Sequence, residues 1–366
     1  MYLSVRDLVF ARGRFALIGG VVALITLLLV LLTGLTEGLG RQSTSALDRL
    51  DAGRIVFSAP ADGSGQPSFP ESGITDEQLR VWEDTAGAVE RLGVTQSRAG
   101  AAGGGAAGVA VVGLEEGTAL APGLGALEGQ ARPAPGRAVL SESVAGDLGL
   151  SVGDAVRLSS TELTVAGIAA DEHYSHVPVV WASMTDFPAI AHLGEGTGAT
   201  VLAVPAGAPV PEEAAEAADG AAGTVSTDAR GALAALPAYR SERGSLLMMQ
   251  GFLYGISALV VVSFLTVWTI QRTRDIAVLR ALGSSRGYVL RDSLAQAAVV
   301  LLLGVLIGGL AGLAGGLAAG TAVPFALTPA TLLVPVLGVL VLGTAGALLA
   351  TRRVATVDPL LALGGN

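Results

Sequence analysis

Cysteine and lysine are both absent from the 366 residues, and histidine occurs only three times. Without cysteine there is no disulfide framework and no thiolate metal site. Without lysine there is no phosphate loop of the form G-x-x-x-x-G-K-[ST], because that lysine reaches the β- and γ-phosphates. Any work driven by ATP must therefore draw on an ATPase in another polypeptide. Charge is scarce as well: 14% of residues are charged, against about 25% in a typical soluble domain. What fills the chain instead is apolar. Hydrophobic residues make up 51% and the mean hydropathy is +0.61, so part of the chain must sit in lipid. The net charge is −9, and no nucleic-acid partner is expected.

Four uncharged apolar runs stand out, at residues 15–36, 246–270, 293–320 and 331–350. Each meets the requirement of roughly 20 apolar residues for a membrane-crossing helix. Between the third and fourth, Pro324 and Pro329 break the helix and allow a tight turn. The first run is too long for a signal-peptide core, with no clear small-x-small site after it, and reads as a retained anchor. Arginine placement orients the spans. Arg6, Arg12 and Arg14 precede the first; Arg272, Arg274, Arg280, Arg286 and Arg291 lie between the second and third; Arg352 and Arg353 follow the fourth. Residues 37–245 are acidic by contrast, with 12 arginines against 27 Asp and Glu. The expected topology puts both termini in the cytoplasm of a bacterial cell and residues 37–245 outside its membrane. The expected organisation is 1–36 as the cytoplasmic start and first span, 37–245 as an external domain, and 246–366 as three further spans. That last part includes a cytoplasmic loop at 271–292 and a tail.

Within 37–245, short β-like runs occur at 54–58, 108–113, 138–140, 155–158, 163–168, 177–181 and 200–204. Helical stretches alternate with them. One starts at Thr75, with Gln78 completing a capping box, and is expected to continue to about Leu92. Ser141 caps a second, Thr185 or Asp186 a third, and 211–219 and 227–236 complete the set. The fold class is thus four transmembrane helices with an α+β domain inserted between the first and second. The glycine- and alanine-rich stretch 100–107 reads as a flexible loop. Asp171-Glu-His-Tyr-Ser-His176 holds two histidines at a spacing seen in zinc sites, or is simply a polar loop before a strand. No nucleophile elbow and no glycine-rich phosphate fingerprint is present, so a catalytic external domain is not expected, and no metal site is assigned.

The loop after the second run reads Gln271-Arg-Thr-Arg-Asp-Ile-Ala-Val-Leu-Arg-Ala-Leu-Gly-Ser-Ser-Arg. Ile276, Leu279, Ala281 and Leu282 form an apolar strip with arginines around it, and Gly283 is placed to end the helix. Such a helix can lie on an anionic leaflet. The run also closely resembles the coupling segment of FtsX/MacB-like ABC permeases, R-x-R-E-I-(A/G)-(V/I)-L-(R/K)-A-L-G-A-S, with Asp275 for the usual Glu and Ser284 for the usual Ala. The tail Arg352-Arg-Val-Ala-Thr-Val-Asp-Pro-Leu-Leu-Ala-Leu resembles the family's closing pattern. Val139 to Val156 followed by Leu163-Thr-Val-Ala-Gly-Ile resembles its external strand–helix–turn. Residues 6–17 and 178–183 look most like the haem-exporting branch of the family and the related DevC-type permeases.

The resemblance implies a homodimeric permease in the lipid bilayer, served by a separate ABC subunit that binds ATP. It places ATPase coupling on Arg272, Arg274, Asp275, Ile276, Leu279, Arg280 and Gly283. No intrinsic cofactor is implied; haem is the expected cargo. None of the four runs contains Asp, Glu, Lys, Arg or His, which argues against an ion or proton relay. Polar groups gather instead at the outer boundary: Glu37 and Arg41 after the first run, Arg243 before the second, and Met248, Met249 and Tyr254 at its start. In a dimer these could line an outer-leaflet slot, with Met, Tyr or carboxylate toward iron and arginine toward propionates. Interface anchoring explains Tyr and Arg at this depth equally well. Two other functions stay open: motion transmitted to an external cell-wall hydrolase without transport, and extrusion of lipoproteins or peptides.

Overall fold

The computed structural model describes residues 12–60, 66–121, 123–271, 285–320 and 322–354. The first element is a 37-residue helix, α1 (Arg12–Asp48). Its hydroxyls are satisfied internally: Thr26, Thr33 and Thr36 donate to the carbonyls of Val22, Leu29 and Leu32 at 2.7–2.8 Å. That pairing removes the cost of carrying bare polar groups in an apolar setting.

β1 (Ala52–Ser58), β2 (Ile74–Thr75) and helix α2 (Asp76–Ala86) follow. The predicted capping box is present, Thr75 accepting from the Gln78 N–H while the Gln78 side chain accepts from the Thr75 N–H. The helix stops earlier than expected. Gly87 turns left-handed at φ 69° and its N–H closes on Glu83, a glycine stop that a residue with a Cβ resists. The residues beyond it form the longest strand of the domain, β3 (Glu90–Ala101), hairpinned to β4 (Ala106–Leu114). Half of the stretch read as a flexible loop is therefore strand, and residues 102–105 make the turn.

Next come β5 (Ala126–Gly129), β6 (Arg137–Ser141), α3 (Glu142–Leu148), β7 (Ala155–Leu158) and β8 (Thr161–Ala169). Ser141 stands at the N-cap of α3, but its hydroxyl donates to the Val179 carbonyl rather than capping. β9 (His173–Tyr174), β10 (Val177–Ser183), α4 (Phe187–Ala191), β11 (Thr197–Ala199) and β12 (Val201–Pro205) lead to α5 (Glu212–Ala222), β13 (Thr224–Asp228) and the single turn α6 (Ala229–Ala232). The expected helix at 227–236 is thus a strand end, that turn, and a 3-10 turn at Leu233–Ala235. Three long helices complete the chain: α7 (Pro237–Gln271), α8 (Arg286–Ala319) and α9 (Pro329–Val354). Pro329 opens α9, where its missing N–H costs nothing. Thr328 and Thr331 exchange side-chain-to-backbone bonds at 2.9 and 3.1 Å across that start.

Two compact units result, Met1–Leu39 with Gly244–Asn366, and Gly40–Arg243. In the second, eleven strands form one sheet in the order β13-β1-β12-β3-β4-β10-β6-β8-β5, with β7 against β3 and β8, and β9 on β10. Pairing is antiparallel except for β4 with β10 and β6 with β8. Both faces are buried. Ile55, Phe57, Val112, Trp181 and Val201 face one core, which Ala46 of α1, Tyr239 of α7 and the flanking Leu50 and Leu236 cover. On the other side α3 and α4 pack over Val109, Val111, Leu140 and Val180, and α2 and α5 over Val56, Leu202 and Val204. Two-sided burial is why β4, β10 and β12 read as apolar runs. Trp82 and Trp181 are fully buried, each side chain of that size contributing roughly 1.5–3 kcal/mol.

In the first unit, α1, α7, α8 and α9 are long and apolar enough to cross a membrane. α1 and α8 meet along a glycine seam. A Cβ at Gly304 would sit 2.9 Å from the Gly19 carbonyl oxygen, at Gly308 2.3 Å from that of Ala23, and at Gly312 2.8 Å from Val30. Small residues at every fourth position let the two backbones touch, which supplies packing where lipid offers no hydrophobic drive.

Candidate functional site

Helix α7 has two unlike faces. Gln250, Tyr254, Ser257 and Val261, spaced four, three and four apart, turn inward. Gln250 donates to the Thr36 hydroxyl of α1 at 3.0 Å. The Tyr254 ring lies against Gly338 of α9, 2.7 Å from where a Cβ would stand. Ser257 is fully buried, and its hydroxyl finds no hydrogen-bond partner among the described residues. The opposite face is bare: Met248, Met249, Phe252, Ile256, Leu259, Val267 and Ile270 are 46–66% exposed.

Four of the sequence-predicted slot residues fall in this unit. Glu37 is exposed and follows Thr36, so the Thr36–Gln250 bond sets it level with Met248 and Met249. Tyr254 sits one turn further along α7 and packs inside, on a different face from the two methionines. The turn before α9 closes on the same end of α1. Ala326 donates to the Gly34 carbonyl at 3.0 Å, and the Phe325 ring occupies the space that side chains on Gly34 and Gly316 would fill. Phe325 was not among the expected site residues, although a lone aromatic between two prolines and beside glycine-rich helices is a recognisable signal.

Arg41 and Arg243 belong to the inserted unit and both are exposed. Arg243 donates to the Tyr239 hydroxyl and stacks over that ring at 5.5 Å. The histidine-bearing loop is committed to backbone work. Asp171 accepts from the Ser143 N–H at 2.9 Å at the start of α3, and Glu172 lies 3.9 Å from Arg49. Tyr174 is buried beside Phe69, and burial holds its phenol well above the usual tyrosine range. His176 reaches Glu242 at 2.9 Å and the Ser43 hydroxyl at 3.2 Å. Among the described residues no three of His, Asp and Glu gather as a metal site. The coupling residues Arg272, Arg274, Asp275, Ile276, Leu279, Arg280 and Gly283 lie outside the described residues, as does the tail from 355.

Two family profiles match the chain: a MacB-like periplasmic core domain over residues 15–220 and an FtsX-like permease C-terminal domain over 247–359. A protein of Staphylococcus haemolyticus named for hemin transport as the permease protein HrtB is 23% identical, covering 100% of this chain and 99% of its own. One of Staphylococcus epidermidis with the same name is 21% identical over the full length of both. Among solved structures, the extracellular domain of the noncanonic ABC-type transporter YknZ from Gram-positive bacteria aligns at TM-score 0.34 and 13% identity, over 48% of this chain and 97% of that one. The periplasmic region of MacB from Actinobacillus actinomycetemcomitans aligns at TM-score 0.36 and 11% identity, over 51% and 94%. The protein is therefore a cell-membrane protein, and it belongs to the FtsX/MacB-like family of ABC-transporter permeases, membrane subunits that work with a separate ATP-binding subunit.

Proposed function

We propose that the chain expels a hydrophobic or amphipathic compound from the outer leaflet, with haem as the cargo, and that its two ends lie in the cytoplasm where the ATP-binding subunit acts. The observation that carries this reading is the bare face of α7, which begins with Met248 and Met249 at the level of Glu37. Thioether sulfur and carboxylate are both haem-iron ligands. The names of the two staphylococcal relatives support the same cargo. A second copy of the chain packed on the bare α7 face would enclose those groups, so the working unit is proposed to be a homodimer. In operation, closure of the ATP-binding subunits pushes on Arg274 to Gly283. The uncharged spans carry the motion outward without a charged pore.

Titrating the purified full-length chain with haem tests the cargo. A saturable Soret shift is expected, lost in the Glu37→Gln/Met248→Ala/Met249→Ala variant. Absence of saturable binding by the parent chain overturns the haem assignment.

A further inference from the structure

One loop inside the inserted unit touches both helices that continue into the other unit. Ser175 and His176 adopt left-handed backbone at φ 50° and 69°, although neither is glycine. Their N–H groups donate to the Ser43 and Gln42 carbonyls near the end of α1 at 3.0 and 2.9 Å. The His173 N–H adds a third bond to the Ser45 hydroxyl at 2.8 Å. The turn so held aims the His176 ring across to Glu242, in the second turn of α7, with Ser43 beside it. Nε2 of His176 lies 2.9 and 3.2 Å from the two Glu242 carboxylate oxygens and 3.2 Å from the Ser43 hydroxyl.

We propose that Ser43, His176 and Glu242 form a releasable clasp that sets the register between the end of α1 and the start of α7. Three features point to a clasp and not a fixed strut. The hydrogen bonding is lopsided: three backbone N–H groups of the loop bond to α1, whereas among the described residues its hydrogen bonding to α7 is that of the His176 ring to the Glu242 carboxylate. That contact is half open to water, with the two side chains 31% and 42% exposed, so parting them strands no buried charge. Beside it, the Tyr239 ring of α7 lies over Gly40 of α1, an apolar contact with no side chain to fix a register. Strained backbone persists where surrounding contacts over-determine it and where it serves a purpose; here it points the ring at Glu242. Release lets the Glu242 turn of α7 shift against the loop, which stays docked on α1, while Leu236 and Tyr239 keep their place on the core. The proposal does not depend on the cargo.

The native absence of cysteine allows clean spin labelling of the full chain at two exposed sites, Asp48→Cys on α1 and Ser241→Cys on α7. Electron–electron distance measurements on the parent should give one narrow distribution. Glu242→Ala and His176→Gly should each broaden it about two-fold as a second, released state becomes populated. The double variant should broaden it no further, because both changes break one contact. Ser175→Gly, which relieves strain but keeps the ring, should leave it narrow. An unchanged distribution in Glu242→Ala overturns the clasp, as does broadening in the double variant that equals the sum of the two singles. Glu242 is a partly exposed helix residue, so that variant decides the matter even where His176→Gly folds poorly.

Discussion

A left-handed backbone costs a residue with a Cβ roughly 1–2 kcal/mol, and Ser159, Ser175, His176 and His192 all carry it. They meet in two places. Ser159 and His192 bond each other at 2.7 Å, and Ser175 with His176 forms the turn on α1. Because the Ser175 hydroxyl makes no hydrogen bond among the described residues, Ser175→Gly should raise the melting temperature, by an amount equivalent to at most about 1 kcal/mol; a fall in thermal scans would show that the hydroxyl is used. Tyr174 beside it supplies a pH prediction. Burial raises its folded-state value above the ordinary phenol value of about 10. The unfolded chain therefore releases this proton first, so the contribution is complete below about pH 10 and falls as pH rises further, by at most about 1.4 kcal/mol per pH unit. Thermal unfolding between pH 8 and 11 should show that loss in the parent and a shallower one in Tyr174→Phe. His176 itself was visible in the sequence only as half of a histidine pair. Its partners Ser43 and Glu242 stand 133 and 66 residues away, and no local pattern reports contacts of that range.

Elements were legible where their burial was uniform. β4 and β10 face packed layers on both sides, so Gly108 to Gly113 and Val177 to Trp181 read as strands directly. β3 is equally central, yet its sequence, Glu-Arg-Leu-Gly-Val-Thr-Gln-Ser-Arg-Ala-Gly-Ala, is mostly polar or small, and its apolar signal is only Leu92 and Val94. Gly93 is needed there because the Phe187 ring of α4 occupies the place of a side chain, 2.5 Å from where a Cβ would be. Tertiary packing, not local preference, makes that segment a strand. The long helices were legible from apolar length, whereas the seam between α1 and α8 was not, since glycine is frequent throughout. That seam makes a direct prediction. Gly308→Ala drives a methyl group into the Ala23 carbonyl and should cost about 1–3 kcal/mol, read as a lowered melting temperature in detergent. Gly251→Ala and Gly255→Ala on α7, which meet nothing within 4 Å, should be neutral or slightly stabilising. Equal effects at all three positions would remove the seam from the account of what holds the spans together.

At the scale of the molecule, energy and cargo are expected at opposite ends of uncharged helices. A chain without lysine cannot build the phosphate loop that ATP hydrolysis of this class needs, so force has to arrive through contact with the ATP-binding subunit. The arginine-flanked run from Arg272 to Gly283 was legible by its resemblance alone, and the FtsX-like match over 247–359 spans it. Under the proposed function, the span between that run and Met248, which holds no Asp, Glu, Lys, Arg or His, carries the motion by displacement of packed helices. Such a lever can be cut at one end without harming the other. Leu279→Ala/Arg280→Ala, reconstituted in vesicles with the partner ATPase, should keep the parent's melting temperature and its haem-induced Soret shift, while ATP-dependent haem release drops at least ten-fold, about 1.4 kcal/mol of lost coupling. Loss of the Soret shift together with release would mean that the loop supports the outer groups structurally. Parent-level release would mean that the partner pushes elsewhere on the permease.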